Sequence, residues 1–277
     1  MPTRLLNQIQ ATSIIEEIYT EGHSPLKITA SDYSIYVAKN GKGQTPSIFL
    51  INEVVADYFL ALWDLPAAET NLVTVPIELI QAEKLSNNHR IGFYETPCFA
   101  SKWIANAIDL NDFMVLPNRK TYNQLLNPID FIRISLFDEW LENDDRKPTN
   151  YNLILEPNTK KYKIIPIDHA FIFGTMNYKY LNPNEYIPRA NDHLMASEMG
   201  ALIRAQMLIN QQVINNEREY FYLCLSRCQE NFDAIFEQIT TFYSIEPSEI
   251  ESIRSFIFSD TRNQKVFDEY IYRLTHA

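Results

Sequence analysis

Cysteine is scarce in this sequence, and its few positions do not indicate a disulfide framework. The 277 residues include three cysteines, Cys98, Cys224 and Cys228. An odd number cannot pair completely, and the four-residue spacing of the last two suits one face of a helix better than a disulfide. No pair of histidines lies near them to complete a thiolate metal site. We therefore expect a chain that folds without disulfide bonds or a structural metal ion.

Long apolar runs and excess positive charge are also missing. No apolar run approaches the roughly 20 residues that would span a bilayer. Residues 1–19 lack the basic start and apolar centre of a signal peptide. The net charge of -11 opposes the phosphate backbone of nucleic acid and an anionic membrane surface. We expect a cytoplasmic protein that binds neither nucleic acid nor a membrane.

The first third of the chain has the pattern of a β-rich unit. With 46% hydrophobic and 21% charged residues, the chain can bury one large core or two smaller ones. Residues 11–39 alternate as strands joined in antiparallel hairpins, and residues 73–80 and 91–99 also look extended. Residues 48–63 are apolar nearly all round, which predicts a buried helix.

The remainder of the chain is predicted to be mostly helical. The character changes near residues 97–102, and helical periodicity dominates from 193 to 274. One hairpin interrupts the helices, with strands at 153–155 and 162–167 around the turn 156–160. We therefore predict an α+β protein with a β-rich unit over residues 1–97 and a helical unit over 98–277.

The embedded hairpin predicts a metal site. If its turn places Glu156 opposite Lys161, Asn150 comes to lie beside Ile167 and Asp168, 18 residues further along. Directly paired residues have Cβ atoms about 4.5 to 5.5 Å apart. Mg²⁺ prefers hard oxygen ligands and commonly takes one or two carboxylates beside phosphate oxygens. An amide oxygen and a carboxylate so placed can share one Mg²⁺.

The polar loop before this hairpin offers a catalytic acid. Asp145 lies five residues before Asn150, where it can accept a hydroxyl proton or orient a nucleophile for attack on a γ-phosphate. Asn152 has the same facing as Asn150 by strand alternation, so either amide can be the metal ligand. The spacing to Asp145 favours Asn150.

The first unit offers a phosphate-binding lysine. Lys39 ends the strand 36–39, and Glu53 stands within the otherwise apolar helix. An unpaired carboxylate there would be costly, so an ion pair with Lys39 explains its presence. The turn Gly22-His23-Ser24-Pro25, between two strands, is a candidate for covering the phosphates.

Taken together, these segments resemble the HipA-like kinases and, more distantly, the phosphatidylinositol 4-kinase type of protein-kinase-like fold. The resemblance spans roughly residues 20 to 175, and the order and spacing of its motifs carry it. The motifs are Asp145-Arg146 followed by Asn150 and Asn152-Leu153-Ile154, Ile167-Asp168-His169-Ala170, Gly22-His23-Ser24-Pro25 with Tyr36-Val37-Ala38-Lys39, and Leu50-Ile51-Asn52-Glu53-Val54-Val55-Ala56.

This resemblance implies a two-lobed protein-kinase-like fold, with an antiparallel β-rich N-lobe and a mostly helical C-lobe. It implies transfer of the γ-phosphate of ATP, with Mg²⁺, to a hydroxyl, chiefly Ser or Thr of a protein substrate. Asp145 would be the catalytic aspartate, and Asn150 and Asp168 would bind Mg²⁺. Lys39 would hold the ATP phosphates, and the segment Cys98-Phe99-Ala100-Ser101-Lys102 would be the hinge beside adenine.

Several alternatives stay open at this stage. The phosphate turn has a single glycine, Gly22, so its backbone has less freedom to wrap phosphates than a glycine-rich loop. A catalytically weak nucleotide-binding or partner-docking module of the toxin and antitoxin type is therefore a rival, and a small-molecule or lipid alcohol is a rival acceptor. Arg146 either steadies the catalytic loop, binds a phosphate or is a surface charge, and His169 is interpreted as structural.

Overall fold

The structure is a computed structural model that divides into two compact units. It describes residues 6–20, 24–43, 47–113, 118–175, 177–189 and 192–276, without the side chains of 112, 113 and 175. The first unit comprises Met1–Tyr58, Ala68–Ala105 and Asp233–Ile245. The second comprises Phe59–Ala67, Asn106–Phe232 and Glu246–Ala277.

A closed sheet organises the first unit. Its strands are β1 (Gln8–Glu17), β2 (Leu26–Ala30), β3 (Ile35–Lys39), β4 (Thr70–Thr74) and β5 (Cys98–Lys102), in the order β1-β2-β3-β5-β4. The β1–β2 and β2–β3 pairs are the predicted antiparallel hairpins. The sheet closes through a parallel pair, β1 with β4, so the prediction of an antiparallel sheet is wrong for that pair. Small and aliphatic side chains such as Leu26, Ile28 and Ala100 fill the interior.

The helical segments of the first unit depart from the prediction at two places. Helix α1 (Ile48–Leu62) is the predicted buried helix. The segment 73–80, predicted as extended, ends its strand at Thr74 and continues into helix α2 (Ile77–Ala82) behind Pro76. Proline has no amide hydrogen for a strand ladder, and its fixed φ suits the start of a helix. Residues 91–94, also predicted as extended, form a 3₁₀ turn before β5.

The second unit carries the embedded hairpin and most of the helical residues. A small sheet runs β6 (Ile108–Asp109), β7 (Leu153–Asn158), β8 (Lys161–Pro166). The further helices along the chain are α3 (Leu110–Phe113), α4 (Arg119–Gln124), α5 (Ile129–Leu141), α6 (Glu198–Gln206), α7 (Gln211–Phe242), α8 (Pro247–Ile257) and α9 (Asp260–His276). Within the described part of the chain, no helix has both the length and the apolar content needed to cross a lipid bilayer.

Helix α5, which leads into the polar loop, is buried on nearly every side. Its Trp140 stacks on Trp63 with ring centroids 5.3 Å apart and lies 5.3 Å from the ring of Phe59. The Trp140 indole Nε1 donates a hydrogen bond of 2.9 Å to the carbonyl of Ile257. This aromatic cluster fixes the end of α5 from which the loop departs.

The register of the β7–β8 hairpin differs from the predicted one by two residues. Glu156 pairs with Lys163, where the prediction opposed it to Lys161, and Leu153 pairs with Pro166. The turn is shorter than the predicted 156–160, because Asn158 pairs with Lys161 and leaves two residues at the tip. Thr159 adopts a φ of 56° there, as tight hairpin turns require.

Two prolines account for this register. The Ile167 amide donates to the Asn152 carbonyl at 3.0 Å, so that pair is hydrogen-bonded. Antiparallel pairs alternate between hydrogen-bonded and non-hydrogen-bonded ones. Counting from Asn152, Pro166 and Pro157 both fall at non-hydrogen-bonded pairs. Neither proline therefore interrupts the ladder between the two strands.

We expect Trp140→Ala to lower the free energy of unfolding by about 3 to 5 kcal/mol, the range for deleting a large aromatic side chain from a core. The matched control is Trp103→Ala, because Trp103 is 41% exposed and contacts the ammonium of Lys27 over its ring. An exposed cation–π contact contributes about 0.5 to 1 kcal/mol. Urea unfolding followed by circular dichroism measures both, and equal losses would contradict the assigned burial.

Candidate active site

The carboxylate of Asp145 is the centre of a compact polar cluster. One of its oxygens accepts a hydrogen bond of 3.0 Å from the Asn150 amide nitrogen. The other accepts one of 2.8 Å from the Asn152 amide nitrogen. The Asn150 nitrogen also donates to the Asp145 carbonyl at 3.2 Å. The structure therefore brings together three of the residues that the sequence singles out.

Local turn chemistry shapes the loop that carries this cluster. Lys147 and Asn150 exchange two backbone hydrogen bonds of 3.0 Å, which close a tight turn with Pro148 and Thr149 at its tip. Proline is favoured at the first central position of such turns because its φ is already fixed. Asn152 has a φ of 46°, in the left-handed region that asparagine tolerates better than most residues. The loop thereby bends into β7 with both amides facing Asp145.

Asp168 lies two residues beyond the end of β8 and adopts a φ of 59°. The residue before it, Ile167, pairs with Asn152 through the hydrogen bond between the Ile167 amide and the Asn152 carbonyl. The predicted pairing of Ile167 with Asn150 is therefore wrong, and Asn152 takes that position. Both amides remain candidates for a shared metal ligand, because both are held by Asp145.

The donor atoms of this cluster fit a hard divalent cation. Each amide nitrogen is engaged by Asp145, and the amide oxygens of Asn150 and Asn152 accept no hydrogen bond within the described residues. Carboxylate and amide oxygens are the ligands that Mg²⁺ prefers, completed by substrate phosphates and water. The described residues contain no group of three or more His, Cys, Asp or Glu side chains arranged around a metal position.

Acidic neighbours of Asp145 are engaged separately. Burial raises the pKa of Asp144, and Arg189, 3.6 Å from its carboxylate, opposes that rise. Burial also raises the pKa of Glu142, whose carboxylate pairs with Arg262 at 3.0 Å. Each of these acids has its own arginine, so neither shares the amides that hold Asp145.

Lys39 and Glu53 form the ion pair expected from the sequence. The Lys39 ammonium lies 2.5 Å from the Glu53 carboxylate, and Glu53 is buried within α1. A carboxylate buried in an apolar helix is stabilised by such a partner. The ion pair is confirmed, while the contact of Lys39 with ATP phosphates stays a prediction.

The proposed phosphate turn is described only in part. Gly22 and His23 lie outside the described residues. Ser24 is buried with a φ of 46°, and its amide donates to the hydroxyl of Thr20 at 3.0 Å. The Asn88 side chain donates to the Ser24 hydroxyl at 3.2 Å. Side-chain hydrogen bonds therefore hold this end of the turn.

Cys98, Phe99 and Ala100, predicted to lie beside adenine, are buried residues of β5. This strand pairs on one edge with β3 and on the other with β4. Burial raises the pKa of the Cys98 thiol to about 12, so the thiol is neutral at physiological pH. The backbone of these residues is engaged in the sheet, and their contact with adenine stays a prediction.

Two supporting residues escaped the sequence interpretation. Asp138, on α5, accepts a hydrogen bond of 3.1 Å from the Asn143 side chain. Asn143 in turn accepts one of 3.3 Å from the Asp145 amide. Unlike Glu53, Asp138 lies in a helix with further buried polar residues, Asp130, Ser135 and Glu139, so it does not stand out in the sequence. Arg146 is fully buried, which excludes the interpretation as a surface charge.

Among solved structures, the chain is similar to the proinflammatory kinase CtkA of Helicobacter pylori. The two share 16% identity over 99% of each chain, with a TM-score of 0.51. The CtTel1 dimer matches 91% of this chain and 11% of its own, at 12% identity and a TM-score of 0.36. The FAT and kinase domain of CtTel1 matches 91% of this chain and 21% of its own, at 12% identity and a TM-score of 0.32. These last two likenesses are too weak to carry an argument.

The likeness to CtkA supports a kinase fold of mixed helices and strands. No curated protein matches the sequence. The model of the HipA-like kinase family matches residues 12–213, most of the chain and all of the Asp145 cluster. The chain therefore belongs to the HipA-like kinase family.

Proposed function

We propose that this protein is an ATP- and Mg²⁺-dependent kinase that transfers the γ-phosphate to the hydroxyl of a Ser or Thr in a protein. The observation that carries the proposal is the Asp145 carboxylate, which accepts a hydrogen bond from both Asn150 and Asn152. Membership in the HipA-like kinase family supports it. In this proposal residues 1–97 act as an N-lobe and residues 98–277 as a C-lobe.

Asp145 acts as the base in the proposed reaction. The acceptor hydroxyl oxygen bonds to the γ-phosphorus, the bond from that phosphorus to the β,γ-bridging oxygen breaks, and ADP leaves. The hydroxyl proton passes to the Asp145 carboxylate. The two asparagine amides fix the direction of that carboxylate. Phosphoryl transfer requires chiefly such positioning and charge stabilisation from the protein.

Asp168 and one of the two asparagines hold Mg²⁺ in the proposed site. The amide oxygens accept no hydrogen bond within the described residues, which leaves them for a cation. Bound Mg²⁺ neutralises charge that develops on the phosphate oxygens during transfer. Asn152 is supported by its pairing with Ile167, and Asn150 by its spacing from Asp145.

Lys39 binds the ATP phosphates in this proposal, and Glu53 orients it through the ion pair in the first unit. The turn with Gly22, His23 and Ser24 covers the phosphates. Cys98, Phe99 and Ala100 contribute to the adenine side of the nucleotide site. These assignments rest on the family resemblance, supported for Lys39 by its buried partner.

A protein acceptor is the part of the proposal that rests on the family alone. The alternative acceptors are a small-molecule or lipid alcohol. Phosphate label recovered on Ser or Thr residues, identified by mass spectrometry, supports the protein acceptor. Label recovered on a molecule other than protein would contradict the assignment of a protein acceptor. It would not contradict the proposed phosphoryl transfer.

We predict that Asp145→Asn and Asp168→Asn each lower the rate of phosphate transfer from radiolabelled ATP, Asp145→Asn by about 10²- to 10⁴-fold, the usual contribution of a positioned base. The matched control is Asp144→Asn, the same change one residue away, at an acid that pairs with Arg189. Because Asp144 has no role in the proposed chemistry, its variant should retain the wild-type rate within a few-fold.

Two results would overturn the kinase proposal. A wild-type protein that gains thermal stability with ATP and Mg²⁺, yet labels neither itself nor a generic protein substrate, would favour the nucleotide-binding or docking module. Variants of Asp145 and Asp168 that fold and retain full transfer would exclude the assigned site.

We predict that Lys39→Met lowers kcat/KM for ATP by about 10- to 100-fold, since a hydrogen bond to a charged group contributes about 1.5 to 3 kcal/mol. Glu53→Gln should produce a smaller loss in the same direction, because Lys39 loses its counter-charge. The control is Lys27→Met, which breaks the exposed 3.1 Å ion pair with Glu16 in the same unit. A folded Lys39→Met with unchanged kcat/KM would remove Lys39 from the nucleotide site.

A further inference from the structure

Arg146 is a fully buried arginine directly after the proposed catalytic aspartate. Its side chain has no exposed surface, although it lies in a polar loop. Burying a guanidinium is costly unless its charge is paired and its donors are used. Its position therefore requires a set of acceptors inside the second unit.

The four Nη donors of Arg146 are all engaged. Nη1 donates to the carbonyls of Tyr151, at 3.2 Å, and Asn152. Nη2 donates to the carbonyl of Ile167 at 3.1 Å and to Nε2 of His169 at 2.9 Å. A guanidinium has five N–H donors, of which four belong to the two Nη atoms. Each of those four has an acceptor, so none remains for a phosphate.

The fifth donor faces the counter-charge. Arg146 Nε lies 2.8 Å from a carboxylate oxygen of Asp138, which is itself buried on α5. Burial raises the pKa of Asp138, and the Arg146 guanidinium opposes that rise. The other Asp138 oxygen accepts from Asn143, which in turn accepts from the Asp145 amide. The same carboxylate thus orients Arg146 and supports the loop that carries Asp145.

The carbonyl acceptors of Arg146 flank the two strands at the open end of the hairpin. The Asn152 carbonyl belongs to one candidate metal ligand, and the Ile167 carbonyl directly precedes Asp168, the other. Asn152 and Asp168 have φ values of 46° and 59°. Left-handed backbone at residues other than glycine persists only where the surroundings hold it. Arg146 supplies such support to both residues at once.

His169 completes the arrangement in one protonation form. A guanidinium donates and never accepts, so the 2.9 Å contact makes Nε2 of His169 the acceptor and leaves its proton on Nδ1. The ring lies edge-on to Phe137 of α5, with centroids 6.1 Å apart. The residue after Asp168 is thereby fixed to the same guanidinium.

We propose that Arg146, oriented by Asp138, is a positioning residue that holds Asn152 and Asp168 at the separation that Mg²⁺ requires. This inference rests on the proposed function and deepens it, because it assigns the support of the metal site to one buried ion pair. Residues that support metal ligands typically contribute 10- to 100-fold to metal affinity.

The variant that tests this is Arg146→Lys, which keeps the charge and loses the planar fork. We expect the Mg²⁺ concentration that half-saturates binding of the analogue AMP-PNP, followed by calorimetry, to rise about 10-fold or more. Binding of AMP-PNP without Mg²⁺ should not change. Asp138→Asn should also raise the Mg²⁺ concentration required. This variant provides the test if Arg146→Lys does not fold.

The control is Arg133→Lys, at a partly buried arginine of the same unit. Arg133 pairs with Glu217 at 2.8 Å and contacts the ring of Tyr220, away from the hairpin. Its variant should keep the wild-type Mg²⁺ requirement. An equal shift in Arg133→Lys would indicate a general loss of stability and overturn the specific role of Arg146.

A second readout needs no nucleotide. Amide hydrogen exchange of residues 150–153 and 167–169 should be faster in Arg146→Lys than in the wild type, with exchange in α7 unchanged. Folded Arg146→Lys and Asp138→Asn proteins with wild-type exchange and Mg²⁺ dependence would overturn the inference. Wild-type binding of Mg²⁺ and AMP-PNP with no phosphate transfer would overturn the kinase proposal alone, and wild-type failure to bind would overturn both.

Discussion

The hydrogen bonds from two asparagine amides to one carboxylate are the interaction on which the rest of the site depends. They set the direction of the Asp145 carboxylate and, through it, leave the amide oxygens of Asn150 and Asn152 for another partner. The two asparagines are separated by one residue, yet reach the two oxygens of the same acid because the loop turns at Pro148 and bends again at Asn152. Backbone geometry and site chemistry are therefore inseparable here.

In both units a buried acid of a helix is paired with a basic residue from another segment. Glu53 in α1 pairs with Lys39 from a neighbouring strand, and Asp138 in α5 pairs with Arg146 from the following loop. A buried ion pair stabilises a fold weakly, because desolvation offsets much of the attraction. Its greater effect is directional, since only one placement of the basic side chain satisfies the buried acid. Each of these two buried ion pairs therefore fixes the placement of a basic residue next to a segment of the proposed site.

Local patterns in the sequence predicted the helices and strands better than they predicted which strands pair and in what register. The helix at 48–63, the hairpins at 11–39 and the pairing of Lys39 with Glu53 followed from periodicity and from the cost of a lone buried acid. The parallel pairing of β1 with β4 did not, because strands so far apart meet only through tertiary packing. The predicted hairpin register is wrong because it assigns five residues, 156–160, to the turn. In the structure the strands pair up to Asn158 and Lys161, which shortens the turn. Asp138 was missed because its helix contains other acids, Asp130 and Glu139, among which it does not stand out.

The prolines of the β7–β8 hairpin restrict the ways in which the chain can misfold. A slip of either strand by one residue would move the proline of that strand, Pro157 or Pro166, to a position that requires an amide hydrogen, and would also turn every side chain of that strand to the opposite face. Such a slip forfeits hydrogen bonds in addition to apolar contacts. Registers shifted by one residue are therefore disfavoured both by lost hydrogen bonds and by lost apolar contacts. The two prolines thus favour the native register during folding.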